Sequence, residues 1–222
     1  MKILIIGILM VLGISSQAGI FGSESVGDNV NSPEKDLDSV NGSITVGNDS
    51  HVDDLDTVNG SIKVGRGSTV GKVDTVNGSV KFKNNVTADK VEAVNGALVL
   101  GSGCMIKGHA ETVNGSIKAG DGCEIQGKME TVNGTISAIN SPVDGNIETT
   151  NGDIKLTEGT VVTGDVIISK SNGFVNSNKK VPTVIIGKNV VVEGDLIFKK
   201  KVKLSIHDSA KTGDISGDVE RF

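Results

Sequence analysis

The heptapeptide "TVNGSIK" occupies residues 57–63 and returns unchanged at residues 112–118. Near copies stand at residues 75–81 ("TVNGSVK") and 131–137 ("TVNGTIS"). The Asn-Gly pairs inside this phrase recur in steps of 18 or 19 residues, at Asn41, Asn59, Asn77, Asn95, Asn114, Asn133 and Asn151. Such a regular period predicts an architecture of stacked repeats, and it outweighs the local preference of any single segment.

Apolar and polar residues alternate through each repeat, which is typical of a strand with one buried face. The apolar positions change parity between Val73 and Val76, which predicts a corner of the backbone at Asp74-Thr75. Beyond that corner, Thr75 and Asn77 are expected on the outer surface. An asparagine before glycine also tolerates a bent backbone. The asparagine column therefore either faces outward or fills the bend.

Two architectures fit Asn-Gly pairs flanked by short strands. The pair is a strong signal for a β-hairpin, which would give an antiparallel meander. A β-solenoid instead winds each repeat once around an axis and stacks equivalent positions about 4.8 Å apart. Identical residues recur in columns, and stacked amides and hydroxyls can hydrogen-bond along a solenoid, whereas a meander gives no reason for such identity. We therefore predict an all-β fold, a single-stranded β-solenoid (β-helix) of about ten coils.

The first residues of the chain have the features of a secretory signal. A basic start precedes an apolar run from Ile3 to Gly13, and Ser16-Gln17-Ala18 fits a signal-peptidase site. The run is shorter than the roughly 20 residues of a membrane-spanning helix, although an uncleaved anchor is the alternative. Residues 1–18 are therefore predicted to be a cleaved signal peptide. The mature chain is expected to be exported, to the periplasm or the surface of a bacterium, and to contain no membrane span.

Three further segments follow the signal. Residues 19–35 are expected to form a disordered lead-in, and residues 36–164 carry the regular repeats. Residues 165–222 are expected to form degenerate coils, as the weaker phrases "GDVII" (residues 164–168), "GDLIF" (residues 194–198) and "GDIS" (residues 213–216) indicate. Residues 169–182, "SKSNGFVNSNKKVP", are polar and end in proline, so they are predicted to be a loop that projects from the coils.

The composition argues against several classes of function. The chain has 22 basic and 27 acidic residues, which disfavours nucleic acid as a partner. It has no Trp or Tyr and only two arginines, so stacking platforms and bidentate anion clamps are scarce. The three histidines lack metal-ligand spacing. We therefore expect no catalytic site, no cofactor and no metal.

The repeat resembles that of known proteins. The phrase "TVNGSI" is similar to the repeat of a large family of bacterial secreted β-solenoids classed as adhesins. The stretches "VVVEGDLIF" (residues 190–198) and "AKTGDISGD" (residues 210–218) resemble bactofilins, which are polymer-forming β-helical scaffold proteins. The resemblance implies a structural or adhesive role without a catalytic motif. Bactofilins usually lack a secretion signal, and this chain departs from them in that respect.

Two cysteines are placed one repeat apart, Cys104 in "GSGCMI" and Cys123 in "GDGCEI". Stacked on neighbouring coils, they would lie within the Cα distance that a disulfide accepts. An exported protein meets oxidising conditions, so a Cys104–Cys123 bridge is predicted. The alternative is a pair of small thiols in the core.

One column of the repeat is acidic, and a mainly basic column stands two residues before it. The acidic column contains Asp38, Asp56, Asp74, Glu92, Glu111, Glu130 and Glu148. The basic column contains Lys72, Lys90, His109 and Lys128. Exposed ion pairs between the columns are the favoured interpretation. A stripe of weak divalent-cation sites is the alternative, because calcium binds carboxylate oxygens.

A column of hydroxyls is the candidate binding face. Its members are Thr57, Thr75, Thr112, Thr131 and Thr149. Flat threonine-rich solenoid faces resemble those of ice-binding proteins, which gives a ligand-binding alternative. We expect a non-enzymatic structural or adhesin-like protein, which self-associates through the exposed strands at its ends or binds a surface partner. A polysaccharide-active β-helix enzyme ranks third.

Overall fold

The computed structural model describes residues 22–170 and 180–222, and all its regular structure is β-strand. The strands are β1 (Glu24–Val26), β2 (Asn31–Ser32), β3 (Leu37–Ser39), β4 (Ile44–Val46), β5 (His51–Val52), β6 (Leu55–Thr57), β7 (Ile62–Val64), β8 (Thr69–Asn77), β9 (Val80–Phe82), β10 (Thr87–Asn95), β11 (Leu98–Leu100), β12 (Met105–Ile106), β13 (Ala110–Thr112), β14 (Ile117–Ala119), β15 (Glu124–Ile125), β16 (Met129–Thr131), β17 (Ile136–Ile139), β18 (Pro142–Val143), β19 (Ile147–Thr149), β20 (Ile154–Thr157), β21 (Val161–Val162), β22 (Val166–Ile168), β23 (Thr183–Ile186), β24 (Val191–Val192), β25 (Leu196–Ile206) and β26 (Ile215–Arg221).

These strands build a β-solenoid of about ten coils, as the columns of the sequence predict. Each strand pairs in parallel with its equivalent one coil away, so the hairpin meander is excluded for the described residues. A typical coil contributes three short strands, which form three faces. The first face runs from β1 through β4 and β7 to β23, the second from β2 through β5 to β24, and the third from β3 through β6 to β22. Strands β8, β10 and β25 continue around a corner and belong to two faces each.

The core is a stack of aliphatic side chains inside the coils. On the first face, Ile44, Ile62 and Val80 are in register and fully buried. Leu37, Leu55 and Val73 form the equivalent column on the third face. Because each coil buries its apolar side chains against the coils above and below, its stability depends on its neighbours.

The Asn-Gly pair forms the corner between the third and first faces. At Gly78, an added Cβ would lie 1.8 Å from the carbonyl oxygen of Gly60, the equivalent residue one coil earlier. The glycine is therefore required by the close approach of stacked backbones, since 3.0 Å is already tight for a Cβ. A corner at Asp74-Thr75 was expected, but β8 runs straight through these two residues and the bend follows at the Asn-Gly pair.

The corner between the first and second faces uses a left-handed residue instead. Gly67, Gly103 and Gly122 have φ of 69°, 65° and 69°. Asn85 holds the same position with φ of 58°, which asparagine tolerates better than most residues. The glycine-rich "GRG", "GSG" and "GDG" phrases are thus explained by backbone conformation.

The winding includes residues that were expected to lie outside it. Strands β1 and β2 pair with β4 and β5, so the prediction of a disordered lead-in at residues 19–35 is wrong from Gly22 onward. The predicted projecting loop, residues 169–182, leaves after β22 and returns before β23, but residues 171–179 lie outside the described part of the chain. The predicted signal peptide at residues 1–18 also lies outside it.

Candidate functional site

The asparagine side chains at the Asn-Gly corner form a continuous ladder on the outer surface. Each Nδ2 donates to Oδ1 of the asparagine one coil earlier, over distances of 2.7 to 2.9 Å. All six bonds point the same way, so the amide dipoles are aligned along the stack. The side chains face outward instead of filling the bend, and all except Asn151 are exposed.

The last acceptor of the ladder is capped by a lysine. Asn151 Oδ1 receives a hydrogen bond from Lys200 Nζ at 3.2 Å, and the same ammonium donates to Thr150 O at 2.5 Å. This Oδ1 is the negative end of the aligned dipoles, and a cation there is stabilising, as at the carboxyl end of a helix. The contact spans 49 residues of sequence because Lys200 lies two coils after Asn151, and the coil between them contains the insertion at residues 169–182.

The predicted threonine binding face is wrong, because these side chains point into the coils. Thr57, Thr75, Thr112, Thr131 and Thr149 are at most 1% exposed. Each Oγ1 donates to a glycine carbonyl of the Asn-Gly corner one coil earlier, as Thr75 does to Gly60 O at 3.0 Å. The column therefore satisfies buried backbone groups, and it cannot present hydroxyls to ice or to another ligand.

Serine and threonine side chains on the other side of the glycines remain accessible. Ser79 and Ser116 are exposed, and Thr135 is partly exposed. Ser116 Oγ accepts a hydrogen bond from the Thr135 backbone N–H at 3.2 Å, which repeats the contact between Ala97 and Ser79. The corner is thus a track of glycine backbone with amides along one side and hydroxyls along the other. We call it the polar track.

The polar track becomes a groove of about 450 Å³ at its C-terminal end. The lining residues are Ser116, Asn133, Gly134, Thr135, Asn151, Gly152, Asp153, Lys180, Pro182 and Lys200. Asp153 anchors the chain that returns from the insertion: Oδ2 lies 2.7 Å from Lys180 Nζ, and Oδ1 accepts from the Thr183 N–H at 2.8 Å. The signal for this groove in the sequence is indirect, since Lys199–Lys201 stand where an Asn-Gly pair would be expected.

The predicted acidic column is present, and three of its seven members are paired with lysines. Asp38, Asp56 and Asp74 continue in register into the glutamates. Lys128 Nζ lies 2.9 Å from Glu111 and 2.5 Å from Glu130. Lys90 pairs with Glu92 at 2.9 Å. The ion pairs expected from the sequence are therefore confirmed for these three glutamates, but the expectation that they are exposed is wrong, since the carboxylates are mostly buried and Glu111 is only 5% exposed.

The three aspartates at the other end have no lysine within ion-pair distance in the described part of the chain. Burial and the charge of Asp74 raise the pKa of Asp56 to about 7. Burial also raises the pKa of Asp74 to about 6, against the lowering effect of Lys90. One carboxylate oxygen of Asp74 is buried without a hydrogen-bond partner among the described residues. Because burial favours the neutral form, the carboxyl groups at this end of the column hold their protons more tightly than an ordinary aspartate does.

Cys104 and Cys123 are buried free thiols, so the predicted disulfide is not formed in the structure. Cys104 Sγ donates to Lys83 O at 3.2 Å, and Cys123 Sγ donates to Gly101 O at 2.7 Å. Ser68 makes the equivalent bond to Gly47 O, so each thiol has a backbone acceptor of its own. The proximity of the two thiols lowers the pKa of Cys104, and the same proximity together with burial raises the pKa of Cys123.

Residues 22–170 and 180–222 contain no cluster of three or more His, Cys, Asp or Glu side chains suited to a metal ion. The same ranges contain no helix long and apolar enough to cross a membrane. Comparison of the chain with protein-family models, curated proteins and solved structures finds no match. The resemblance to adhesins and bactofilins therefore stays a prediction.

Proposed function

We propose that this protein is an exported, non-enzymatic β-solenoid that serves as a structural rod and assembles end to end. The observation that carries the proposal is that the outermost strand at each described end of the stack has one edge without a partner among the described residues. Solenoids that remain monomeric need terminal units with a polar outer face. Each described end leaves a strand edge without a partner among the described residues, and apolar side chains that are only partly buried lie beside it.

At the N-terminal end, the outer edge of β1 has no partner among the described residues. Glu24 N–H donates to Ser43 O, and Val26 O accepts from Gly47 N–H, so these groups face the second coil. The backbone groups of Ser25, between them, point the opposite way. Val30 is only partly buried against the core at this end.

At the C-terminal end, β26 pairs with β25 alone in the described chain. Ile215 and Val219 are partly buried, and the ring of Phe222 is 68% exposed. The two ends also differ in charge. Residues 22–80 contain ten acidic and four basic residues, whereas residues 180–222 contain six acidic and eight basic residues. Opposite charge favours head-to-tail contacts, and such a contact forms open filaments when it does not close into a ring.

The assembly is tested by size-exclusion chromatography with light scattering and by negative-stain microscopy over a concentration series. Ser25→Pro removes an edge N–H that the fold does not use, and edge strands tolerate proline. We expect the unmodified protein to form lengthening rods and Ser25→Pro to remain a short rod. Ser25→Thr is the matched control and should assemble. An unmodified protein that stays monomeric at every concentration would refute the proposal.

Export is proposed from residues 1–18 alone, and the mass of the protein recovered from the producing cells tests it. A mass that corresponds to a start at Gly19 supports cleavage after Ala18, and retention of all 18 residues contradicts it.

A second candidate function is adhesin-like binding through a lateral surface. The groove at the end of the polar track favours it, because this concave region combines amides, hydroxyls and ammonium groups. The two functions are compatible, since a rod can carry a binding site on its side.

A further inference from the structure

We infer that the groove at the C-terminal end of the polar track binds a polyhydroxylated chain, a glycan, that carries an acidic group. The inference deepens the adhesin-like part of the proposed function, which would bring an exported protein into contact with such chains. It does not depend on end-to-end assembly.

The shape of the groove suits a linear chain. Its floor contains Gly134 and Gly152, where a Cβ would lie 1.8 Å from the carbonyl oxygen of the preceding glycine in the stack. Side chains are therefore excluded from the floor, and a ligand can approach the backbone closely. The track continues toward Asn41 on an open surface, whereas Lys180, Pro182 and Lys200 bound the groove at its other end. An extended chain can lie along the track with one end or substituent at the lysines.

The hydrogen-bonding groups of the walls match hydroxyl groups. In the ladder, the Nδ2 of Asn133 donates one hydrogen bond to Asn114, and its second N–H remains available for a ligand. The hydroxyls of Ser116 and Thr135 both donate and accept. Sugar hydroxyls also donate and accept, so amides and hydroxyls placed along the track can satisfy them in several orientations.

The charged residues specify the acidic group. Among the described lining residues, two lysines and one aspartate are charged. Both oxygens of Asp153 already have partners, in Lys180 and the Thr183 N–H. The side chain of Lys180 is 77% exposed, so a ligand can reach its ammonium. A carboxylate or another anion of the ligand would bind there with charge-assisted hydrogen bonds.

Other polymers fit less well. The chain has no Trp or Tyr on which a nucleobase could stack, and its net charge is −5. A peptide would gain little for its apolar side chains, since Pro182 is the one apolar side chain among the described lining residues. An acidic glycan uses both the hydrogen-bonding walls and the ammonium end.

Isothermal titration calorimetry of the full purified chain tests the inference. The probes are oligogalacturonate, its methyl-esterified neutral form of equal length, and oligoglutamate. We expect oligogalacturonate to bind with a Kd below about 1 mM, the affinity scale of a weak specific site. The neutral form should bind about tenfold more weakly or worse, because it lacks the charge-assisted bonds. Oligoglutamate should bind as weakly as the neutral form, because it has the charge without the hydroxyls.

Two variants localise the binding. Lys180→Met should weaken the binding of oligogalacturonate about tenfold, because it removes the charge-assisted hydrogen bond. Thr135→Val should weaken the binding of both glycans by a fewfold, because it removes the hydrogen bonds of one hydroxyl. Lys63→Met changes a lysine of the first face outside the groove and is the matched control, with no change expected. Thermal melting establishes that each variant is folded.

The inference is overturned if no glycan binds, if oligoglutamate binds as tightly as oligogalacturonate, or if Lys180→Met and Thr135→Val leave the affinity unchanged. Light scattering on the same samples reports assembly separately. A protein that assembles without binding glycan refutes this inference alone, and one that binds glycan as a monomer refutes only the structural rod.

Discussion

Replacing Asp56 by asparagine should stabilise the protein at pH 8 and have little effect at pH 4. Asp56 lies between Asp38 and Asp74 in the acidic column, and no lysine of the described residues lies at ion-pair distance from it. Burial, followed by repulsion from Asp74 and Asp38, raises its pKa to about 7 in the folded protein. The unfolded value is near 3.9, so the native state holds this proton more tightly. Its favourable contribution is present below about pH 4 and is lost as the pH rises through 7.

The size of the effect follows from the shift. A pKa change of roughly three units corresponds to about 4 kcal/mol of stability between the two ends of this pH range. Asp56 is only partly buried, and water screens its interactions, so we expect roughly 1–2 kcal/mol to be measured. Asparagine has nearly the same shape and carries no charge at either pH, so the variant should lose most of this dependence.

The assay is urea unfolding at pH 4, 6 and 8, followed by circular dichroism, on the unmodified protein and the variant. Glu130→Gln is the matched control, because Glu130 occupies the same column but lies 2.5 Å from Lys128. Removing that carboxylate should destabilise the protein at pH 8, whereas Asp56→Asn should stabilise it. The reasoning is refuted if Asp56→Asn is no more stable than the unmodified protein at pH 8, or if its advantage is equally large at pH 4.

Two further predictions concern the corner and the thiols. Gly78→Ala should destabilise by at least about 3 kcal/mol, because the new Cβ meets the backbone oxygen of Gly60. Gly27→Ala has open space around the new Cβ, so its free energy of unfolding in the same urea assay should stay within about 0.5 kcal/mol of that of the unmodified protein. Equal losses of stability in both variants would contradict the stacking argument. Thiol titration of the unfolded, unreduced protein should find two thiols, from Cys104 and Cys123. A value of zero would instead establish the disulfide that the sequence favours.

The sequence was sufficient to predict the solenoid, because identical residues in a column can be explained only by stacking. It was also sufficient to place Asp56 above Asp74, since register follows directly from the period. It failed for Thr75, which was assigned to the outer surface. The alternation of apolar and polar residues was counted from a corner expected at Asp74-Thr75. The strand in fact continues through these two residues, and the bend comes later, at Asn77 and Gly78. The hydroxyl of Thr75 is needed inside for the carbonyl of Gly60, a requirement that residue polarity does not reveal.

The groove was beyond prediction for a different reason. The contact between Lys200 and Asn151 crosses an insertion that breaks the 18- to 19-residue period, so the period alone does not place the two residues in one column. The same break changes the partner spacing: Ile154 pairs with Val184, 30 residues later. Sequence columns identify neighbours only while the period holds, and side chains that meet across an insertion depend on the path of the chain in three dimensions.

This break also explains why a specific site would lie where the repeat ends. A uniform track offers the same amide, glycine and hydroxyl groups in every coil, so a ligand could shift by one coil and make equal contacts. Lys180 and Lys200 occur once and lie at one end of the track. A chain whose acidic group pairs with them has one favoured position, because any shift along the track removes the charge-assisted contact. The regular coils thus supply a rigid surface of repeated hydrogen-bonding groups, and the interruption supplies the position at which a ligand is held.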